Sequence, residues 1–384
     1  MALTFVDRRN SGCLKWDGMH APFGEDGLLP LWVADMDFRA PDCVLEALQQ
    51  QVDHGVFGYS LTPPGFFEAF CQWQNRRHGY SPNPDTLRFA PGVMTACSWL
   101  VALLTQPGEQ VVALAPLYDH LLKTPASQGR ELILSHLRCE NGIYTVDFAD
   151  LEQKLSKPEV KLFLLCSPHN PVGRVWSAEE LRTMLDLCRS HGVKVIADEI
   201  HQDFIHRGTF LPAAAAGDYD DMLVTLTAPS KTFNLAGLKT AIASIPDEKL
   251  RRRYDTLAES LMLSKGSVMG YAAAEAAWRG GEPWLEELLQ LIRGNYALLE
   301  DTMRRAHPMV SISPLEGTYL AWLDFSAYLA DNQLADYFQG RCRLGLGYGR
   351  NYGPGGEGHV RINLATSRDV VGRAAEAIAA ELFA

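Results

Sequence analysis

Short apolar runs alternate with longer amphipathic segments over most of the chain. The runs are rich in Val, Leu and Ile, a composition typical of strands that are buried on both faces. They lie at 111–115, 161–167, 193–199, 222–228 and 240–245. Strands that alternate with helices favour parallel pairing through right-handed crossovers. The pattern therefore predicts an α/β fold with a mostly parallel sheet that is covered by helices on both faces.

The segment 177–192 is the clearest predicted helix between two of these runs. Ser177 and Glu180 match the capping box that begins a helix, and Gly192 supplies a C-terminal stop.

The pattern changes after about residue 280. One long amphipathic helix is predicted at 283–306, and a closing helix begins near Arg368. Short strands are expected between them, at 309–314, 317–325 and 359–365. We therefore expect a large domain over 50–280 and a smaller α+β domain built from 1–49 and 281–384.

Composition and charge narrow the class of protein. The formal net charge of −11 disfavours nucleic acid or an anionic membrane as a partner. No apolar run approaches the roughly 18 residues of a membrane helix, and the first residues lack the layout of a secretory signal. Eight cysteines without a C-x-x-C pair indicate neither a zinc site nor a disulfide framework. A cytoplasmic setting is expected.

Polar side chains follow three of the predicted strands, at the edge where open α/β sheets bind ligands. Asn170 follows the second run, and Asp198 ends the third. Lys231 follows the fourth run, next to Ser230. A reactive lysine, a carboxylate and an amide are what pyridoxal 5′-phosphate requires for its aldehyde, its pyridine nitrogen and its ring oxygen. The sequence therefore predicts a site for this cofactor.

The phosphate of such a cofactor needs backbone N–H groups at a helix N-terminus and a cation. The segment 91–104 predicts that helix start, with Val93 and Met94 directly after Gly92. Lys239 supplies a positive charge, and Tyr118 offers an aromatic face to the ring.

Taken singly, these residues have ordinary structural explanations. Lys231 is explained as a solvated loop lysine, and Asp198 as the cap of the following helix. Asn170 precedes a proline and is a natural turn residue. Tyr118 is explained as core filling and Arg361 as half of an ion pair. The combination at neighbouring strand ends favours the chemical interpretation.

Four segments carry a resemblance to a known family. They are "PLWVADMDF" (30–38), "HNPVGR" (169–174), "ADEIHQDF" (197–204) and "APSKTFNLAGL" (228–238). Together they resemble fold-type I pyridoxal-phosphate enzymes of the class I/II aminotransferase group, in particular the MalY/PatB-type carbon–sulfur β-lyases. The resemblance covers essentially the whole chain and implies an aspartate aminotransferase-like fold with a large cofactor-binding domain and a smaller α+β domain.

The resemblance implies a role for each candidate residue around the cofactor ring. Lys231 carries the Schiff base, Asp198 pairs with the pyridine nitrogen, and Asn170 bonds the ring hydroxyl. Tyr118 stacks on the ring, and His201 belongs to the same set.

The remaining roles concern the phosphate and the substrate. Ser230 and Lys239 hold the phosphate together with the helix start at Val93 and Met94. Tyr59 reaches it from the neighbouring subunit of a homodimer with shared active sites. Arg361 holds the substrate α-carboxylate.

The chain also departs from the pattern of many aminotransferases. His201 stands where they carry Tyr, which weighs towards a lyase. Lys239 replaces Arg and Ala228 replaces Ser, so the phosphate loses a bidentate fork and one hydroxyl.

The predicted activity is α,β-elimination of L-cystathionine or a related β-thio amino acid to thiol, pyruvate and ammonia, with Lys231 as general base. The alternative is an aminotransferase that passes the amino group to a 2-oxo acid. A third possibility is a regulator that carries this fold on a DNA-binding module, which the absence of a basic N-terminal segment and the acidic charge disfavour.

Two further features suggest other sites. The glycine-rich stretch 344–358 is interpreted as a flexible loop rather than a dinucleotide site, because no βαβ unit follows it. Glu199, His201, Asp203 and His206 do not share a helical face, so no metal site is expected.

Overall fold

The computed structural model describes residues 3–381 of the chain. Its strands are β1 (Leu29–Pro30), β2 (Leu87–Ala90), β3 (Gln110–Ala115), β4 (Glu131–His136), β5 (Arg138–Glu140), β6 (Ile143–Thr145), β7 (Val160–Cys166), β8 (Lys194–Asp198), β9 (Leu223–Thr227), β10 (Ala241–Ser244), β11 (Ser311–Ile312), β12 (Leu320–Asp324), β13 (Leu344–Gly345), β14 (Gly347–Tyr348) and β15 (His359–Asn363).

The helices are α1 (Leu14–Asp17), α2 (His20–Phe23), α3 (Asp42–His54), α4 (Pro64–His78), α5 (Val93–Leu104), α6 (Asp119–Ser127), α7 (Phe148–Leu155), α8 (Ala178–Ser190), α9 (Pro229–Thr232), α10 (Glu248–Ser260), α11 (Val268–Gly280), α12 (Glu282–Ala306) and α13 (Arg368–Ala380). None of the helices within residues 3–381 has both the length and the apolar composition needed to cross a bilayer.

The large sheet has the strand order β2-β10-β9-β8-β7-β3-β4. The strands from β4 to β9 in this order pair in parallel, as predicted. The expectation of parallel pairing is wrong for β10, which runs antiparallel to both β9 and β2. Residues 228–240 stay at the carboxyl end of β9, so the chain enters β10 from that end and runs back.

Both faces of the large sheet are apolar and covered. In β3, Val112 and Leu114 face the core formed with α7 and α8. Val111 and Ala113 alternate with them and face the core formed with α5 and α10. This two-residue alternation between two buried layers is why the strand sequences are apolar throughout.

The predicted ends of α8 are confirmed. The Ser177 hydroxyl accepts a hydrogen bond from the Glu180 N–H at 3.1 Å, and the Glu180 carboxylate accepts one from the Ser177 N–H at 2.8 Å. Gly192 lies just past the helix with φ +67°, in the left-handed region that glycine adopts without strain.

The C-terminal part of the chain forms a separate antiparallel sheet in the order β11-β12-β15-β14. The long helix α12 packs along α13. A core beneath this sheet also includes side chains of α4 and α11. The predicted α/β class with a second α+β region is confirmed, whereas the division into 50–280 and 1–49 plus 281–384 stays a proposal.

The stretch 344–358 is not a simple loop, which corrects the expectation from its glycine content. Leu344 and Gly345 pair in parallel with β1, and Gly347 and Tyr348 pair with β15. A short 3₁₀ helix follows at Gly349–Tyr352. Pairing with neighbouring strands therefore overrides the local turn tendency of the glycines.

Candidate active site

A cavity of about 200 Å³ lies at the carboxyl ends of β7, β8 and β9. It brings together the candidate cofactor residues other than Tyr59. These lining residues are Val93, Met94, Tyr118, Asn170, Asp198, His201, Ser230, Lys231 and Lys239. The location is the one expected for ligands in open α/β sheets.

Lys231 lies on α9, a single turn that follows β9. Its Nζ donates a hydrogen bond to the carbonyl oxygen of Ala34 at 2.6 Å. The next residue, Thr232, donates from its hydroxyl to the buried carboxylate of Asp203 at 2.7 Å, which fixes the turn. Burial, followed by the positive charge of Arg361, lowers the pKa of the Lys231 amine to about 8. The amine is therefore more readily neutral than that of an ordinary lysine.

Asp198 is the last residue of β8 and is buried at the cavity wall. Its Oδ1 accepts a hydrogen bond from the Ile200 N–H at 3.1 Å. No basic side chain within residues 3–381 forms an ion pair with it. Burial raises the pKa of Asp198 to about 6. A buried carboxylate without a cation fits a ligand that presents a protonated nitrogen.

Arg361 is not itself a lining residue of the cavity, but it contacts Asn170, which is. The Arg361 Nη1 donates to Asn170 Oδ1 at 3.1 Å, and its Nη2 donates to the carbonyl oxygen of Trp32 at 2.9 Å. The guanidinium also lies 4.8 Å from the centre of the Tyr352 ring. Its Nε is buried and has no hydrogen-bond partner, and no carboxylate in the described part of the chain pairs with it. This buried cation is suited to an anionic ligand group.

The part of the cavity lined by the start of α5 has the features of a phosphate site. Helix α5 begins at Val93, and Gly92 precedes it with φ +130°, a conformation that favours glycine. The first N–H groups of a helix lack intrahelical acceptors and attract anions. Lys239, in a left-handed turn, and Ser230 also line the cavity.

Tyr118 and His201 add an aromatic ring and an imidazole to the lining of the cavity. The ring of Tyr118 stacks on that of His120, with centres 5.1 Å apart and planes at 11°. The His201 ring lies edge-on to Tyr319 at 5.6 Å, and its Nδ1 is buried without a hydrogen-bond partner among the described residues. Burial, and then the charges of Lys231 and Arg361, lower the pKa of His201 well below its usual value, so this imidazole is neutral.

The structure does not place Tyr59 in the cavity of its own chain. Its side chain is fully exposed, and the apolar side chains of Val56, Phe57 and Leu61 in the same segment are each more than half exposed. The predicted role of Tyr59 needs a second copy of the chain.

Several groups at the site were missed from the sequence. Thr95 and Thr240 line the cavity, and hydroxyl residues at a helix start are a signal that would have identified Thr95. The backbone carbonyls of Trp32 and Ala34 bond Arg361 and Lys231. No side-chain pattern reveals a carbonyl contact. Within residues 3–381, no group of three His, Cys, Asp or Glu side chains is arranged to hold a metal ion.

The fold and this site together indicate the protein family to which the chain belongs. The chain belongs to the aminotransferase class I and II family, whose family model matches residues 27–378.

Individual relatives are similar over nearly the whole chain. Cystathionine beta-lyase PatB of Bacillus subtilis (strain 168) is 42% identical over 371 residues, which cover 94% of this chain and 96% of PatB. Protein MalY of Escherichia coli (strain K12) is 36% identical over 369 residues, which cover 94% of each chain. The crystal structure of cystalysin from Treponema denticola, which contains a pyridoxal 5′-phosphate cofactor, aligns with a TM-score of 0.95 at 31% identity, covering 99% of this chain and 98% of cystalysin.

Proposed function

We propose that the chain is a pyridoxal-phosphate-dependent carbon–sulfur β-lyase. It converts L-cystathionine or a related β-thio amino acid, with one water, into a thiol, pyruvate and ammonia. The observation that carries the proposal is the convergence of Lys231, Asp198 and Asn170 on one cavity that ends at the start of α5. The similarity to cystathionine beta-lyase PatB supports the choice of a lyase.

The residues of the cavity fit the cofactor at each of its functional groups. Lys231 would hold the aldehyde carbon, and Asp198 would hold the pyridine nitrogen, because it is a buried carboxylate without an ion-pair partner in residues 3–381. Asn170 would bind the ring hydroxyl and Tyr118 would pack on the ring, since both line the cavity. His201 also lines the cavity, and its imidazole is neutral because burial lowers its pKa.

The phosphate is assigned to the start of α5. The N–H groups of Val93 and Met94, the hydroxyl of Ser230 and the amine of Lys239 line this end of the cavity. Backbone N–H groups and one cation are a common phosphate-binding combination.

When bound, the cofactor supplies an electron sink for negative charge at the substrate Cα. The side chains of the protein orient the substrate and carry the transferred proton. The buried guanidinium of Arg361 orients the substrate by its α-carboxylate, through charge-assisted hydrogen bonds. The neutral Lys231 Nζ then takes the proton from Cα. The proton thus comes to rest on the Lys231 nitrogen, within the hydrogen-bonding reach of the Ala34 carbonyl.

We also propose that the active unit is a homodimer with shared sites. The exposed apolar segment 56–61 is the surface that a second copy covers, and its Tyr59 then reaches the phosphate end of the partner's cavity. Burial of such side chains on association is favourable. The cytoplasmic setting also belongs to the proposal, and it is supported by the free thiols of all eight cysteines.

The test is product analysis with purified, cofactor-loaded protein and L-cystathionine. The proposal expects equal amounts of pyruvate and free thiol without any added 2-oxo acid, and Lys231→Ala serves as the inactive control. If turnover requires 2-oxoglutarate and yields glutamate, the protein is the alternative aminotransferase, since Lys231 serves both reactions.

A further inference from the structure

The segment 32–36 lies against Lys231 and is held there by side chains from several elements. The Ala34 carbonyl oxygen accepts hydrogen bonds from Lys231 Nζ at 2.6 Å and from the Tyr319 hydroxyl at 2.8 Å. The side-chain amide of Asn363 donates to the carbonyls of Val33 at 2.7 Å and Asp35 at 2.6 Å. The backbone of Asp35 is therefore fixed one residue from the acceptor that Lys231 uses.

The Asp35 carboxylate has an incomplete set of partners. Its Oδ2 lies 2.8 Å from the Arg8 Nη1, and this side chain is 17% exposed. Its Oδ1 is buried and has no hydrogen-bond partner within residues 3–381. The same Arg8 nitrogen also donates to the carbonyl of Met36 at 3.0 Å and lies 3.6 Å from Asp37. Arg8 is thus shared between acceptors and neutralises Asp35 only in part.

The charged groups around the Lys231 amine have opposing effects. Arg361 disfavours a proton on Lys231, whereas Asp35 and Asp198 favour one. His201 is neutral, and burial keeps the hydroxyl of Tyr319 protonated by raising its pKa. In the proposed function, Asp198 faces the protonated ring nitrogen of the cofactor. Asp35 is then the carboxylate left to act on the Lys231 nitrogen.

We propose that Asp35 is a positioning residue for Lys231, whose carboxylate stabilises the positive charge on the Lys231 nitrogen, and that Arg8 limits this stabilisation. The inference rests on the proposed function, because it takes Lys231 as the base. In that step, the C–H bond at the substrate Cα breaks, its proton forms an N–H bond on Lys231 Nζ, and the electron pair stays on the substrate. The new ammonium arises at the nitrogen that binds the Ala34 carbonyl, one residue from Asp35, whose side chain is 17% exposed.

Replacing Asp35 and replacing Arg8 are expected to shift the pH at which the Lys231 nitrogen is protonated in opposite directions. Asp35→Asn keeps the shape of the side chain and removes the anion, so protonation of the Lys231 nitrogen moves to lower pH. Arg8→Gln removes the competing cation, so protonation moves to higher pH. A nearby opposite charge shifts a pKa by about 1–3 units, and the partial neutralisation by Arg8 reduces the expected shift to about 0.5–1 unit.

The measurement is a pH titration of the visible absorbance of the yellow holoenzyme, which changes when the cofactor-linked Lys231 nitrogen gains a proton. The pH profile of kcat/KM with cystathionine is recorded in parallel. Arg8→Lys keeps the charge and is expected to titrate like the unmodified protein. Asp7→Asn is the matched control, because it breaks the neighbouring ion pair with Arg9, which is exposed.

A fall in the midpoint for Asp35→Asn together with a rise for Arg8→Gln supports the inference. Equal titrations, or shifts in the same direction, overturn it. A purely structural role would not make the direction of the midpoint shift depend on whether a negative or a positive charge is removed. If Asp35→Asn does not fold, Arg8→Gln carries the test: a rise supports the inference, and no change or a fall overturns it. Colourless protein in the presence of added pyridoxal phosphate overturns the inference too, but through failure of the proposed function, and the unmodified protein then also remains colourless.

Discussion

Replacing Arg361 by lysine tests the proposed substrate clamp, because lysine keeps the charge and loses the fork of the guanidinium. Arg361 is buried, its Nη1 and Nη2 are bound to Asn170 and Trp32, and its Nε is without a partner. We expect the variant to lose about one charge-assisted hydrogen bond to the α-carboxylate, worth about 1.5–3 kcal/mol. At about 1.4 kcal/mol per factor of ten, KM for cystathionine rises by about 10- to 150-fold.

The assay is steady-state release of pyruvate over a range of cystathionine concentrations. KM is expected to rise much more than kcat falls, because the α-carboxylate is bound alike before and during the reaction. Arg350→Lys is the matched control. Arg350 lies in the same C-terminal region, pairs with Asp331 at 3.2 Å and is 47% exposed, so its replacement should leave KM unchanged.

Two results would refute the assignment of Arg361. A KM within a factor of two of the parent value would mean that the carboxylate binds elsewhere. A fall in kcat at constant KM would mean that the arginine acts on the reacting atoms or on the fold rather than on binding of the substrate.

Three further outcomes follow from the site. Lys231→Ala is expected to lose turnover and the visible absorbance of the covalently held cofactor together, and a variant that keeps either one contradicts the role of the lysine. With a pKa of about 8, roughly a tenth of the Lys231 amine is neutral at pH 7. The rate of covalent loading of cofactor-free protein should therefore rise with pH through a midpoint near 8 and then level off. A rate that still climbs steeply above pH 9 would be inconsistent with this environment. Inactive Tyr59→Ala and Lys231→Ala proteins, mixed in equal amounts under exchange of subunits, should regain about a quarter of the parent activity, since half of the dimers then hold one intact site of two; no recovery would argue against shared sites.

The sequence predicted the large sheet well because each strand is buried on both faces. Apolar runs such as 161–167 carry a strong signal, and β7 spans Val160–Cys166. The direction of β10 was not predictable in the same way. Its apolar sequence fits a parallel or an antiparallel partner equally well, and the path of residues 228–240 at the site decides the outcome.

The side chains of the site were predictable where their chemical type is distinctive. A lysine, an aspartate and an asparagine after successive strands converge because the carboxyl ends of parallel strands share one edge. The contribution of segment 32–36 could not be predicted in this way, because Ala34 acts through its carbonyl oxygen and every residue has one. The segment was distinctive only because its sequence resembles that of the family. Such a resemblance does not show which atoms of the segment contact the site.

The environments of Asp198 and Lys231 are complementary. Burial raises the pKa of the carboxyl to about 6 and lowers that of the amine to about 8, so burial disfavours the charged form of each group. The two line one cavity without forming an ion pair, so the charge of each offsets the burial of the other only in part. A ligand with a basic ring nitrogen at one end and an aldehyde at the other satisfies both. Lyases and aminotransferases share this requirement, but a lyase expels the substituent on the substrate Cβ, whereas an aminotransferase keeps it and passes the amino group to a 2-oxo acid. Variants of Asp198 and Lys231 therefore test the cofactor, and product analysis with cystathionine is needed to test the reaction.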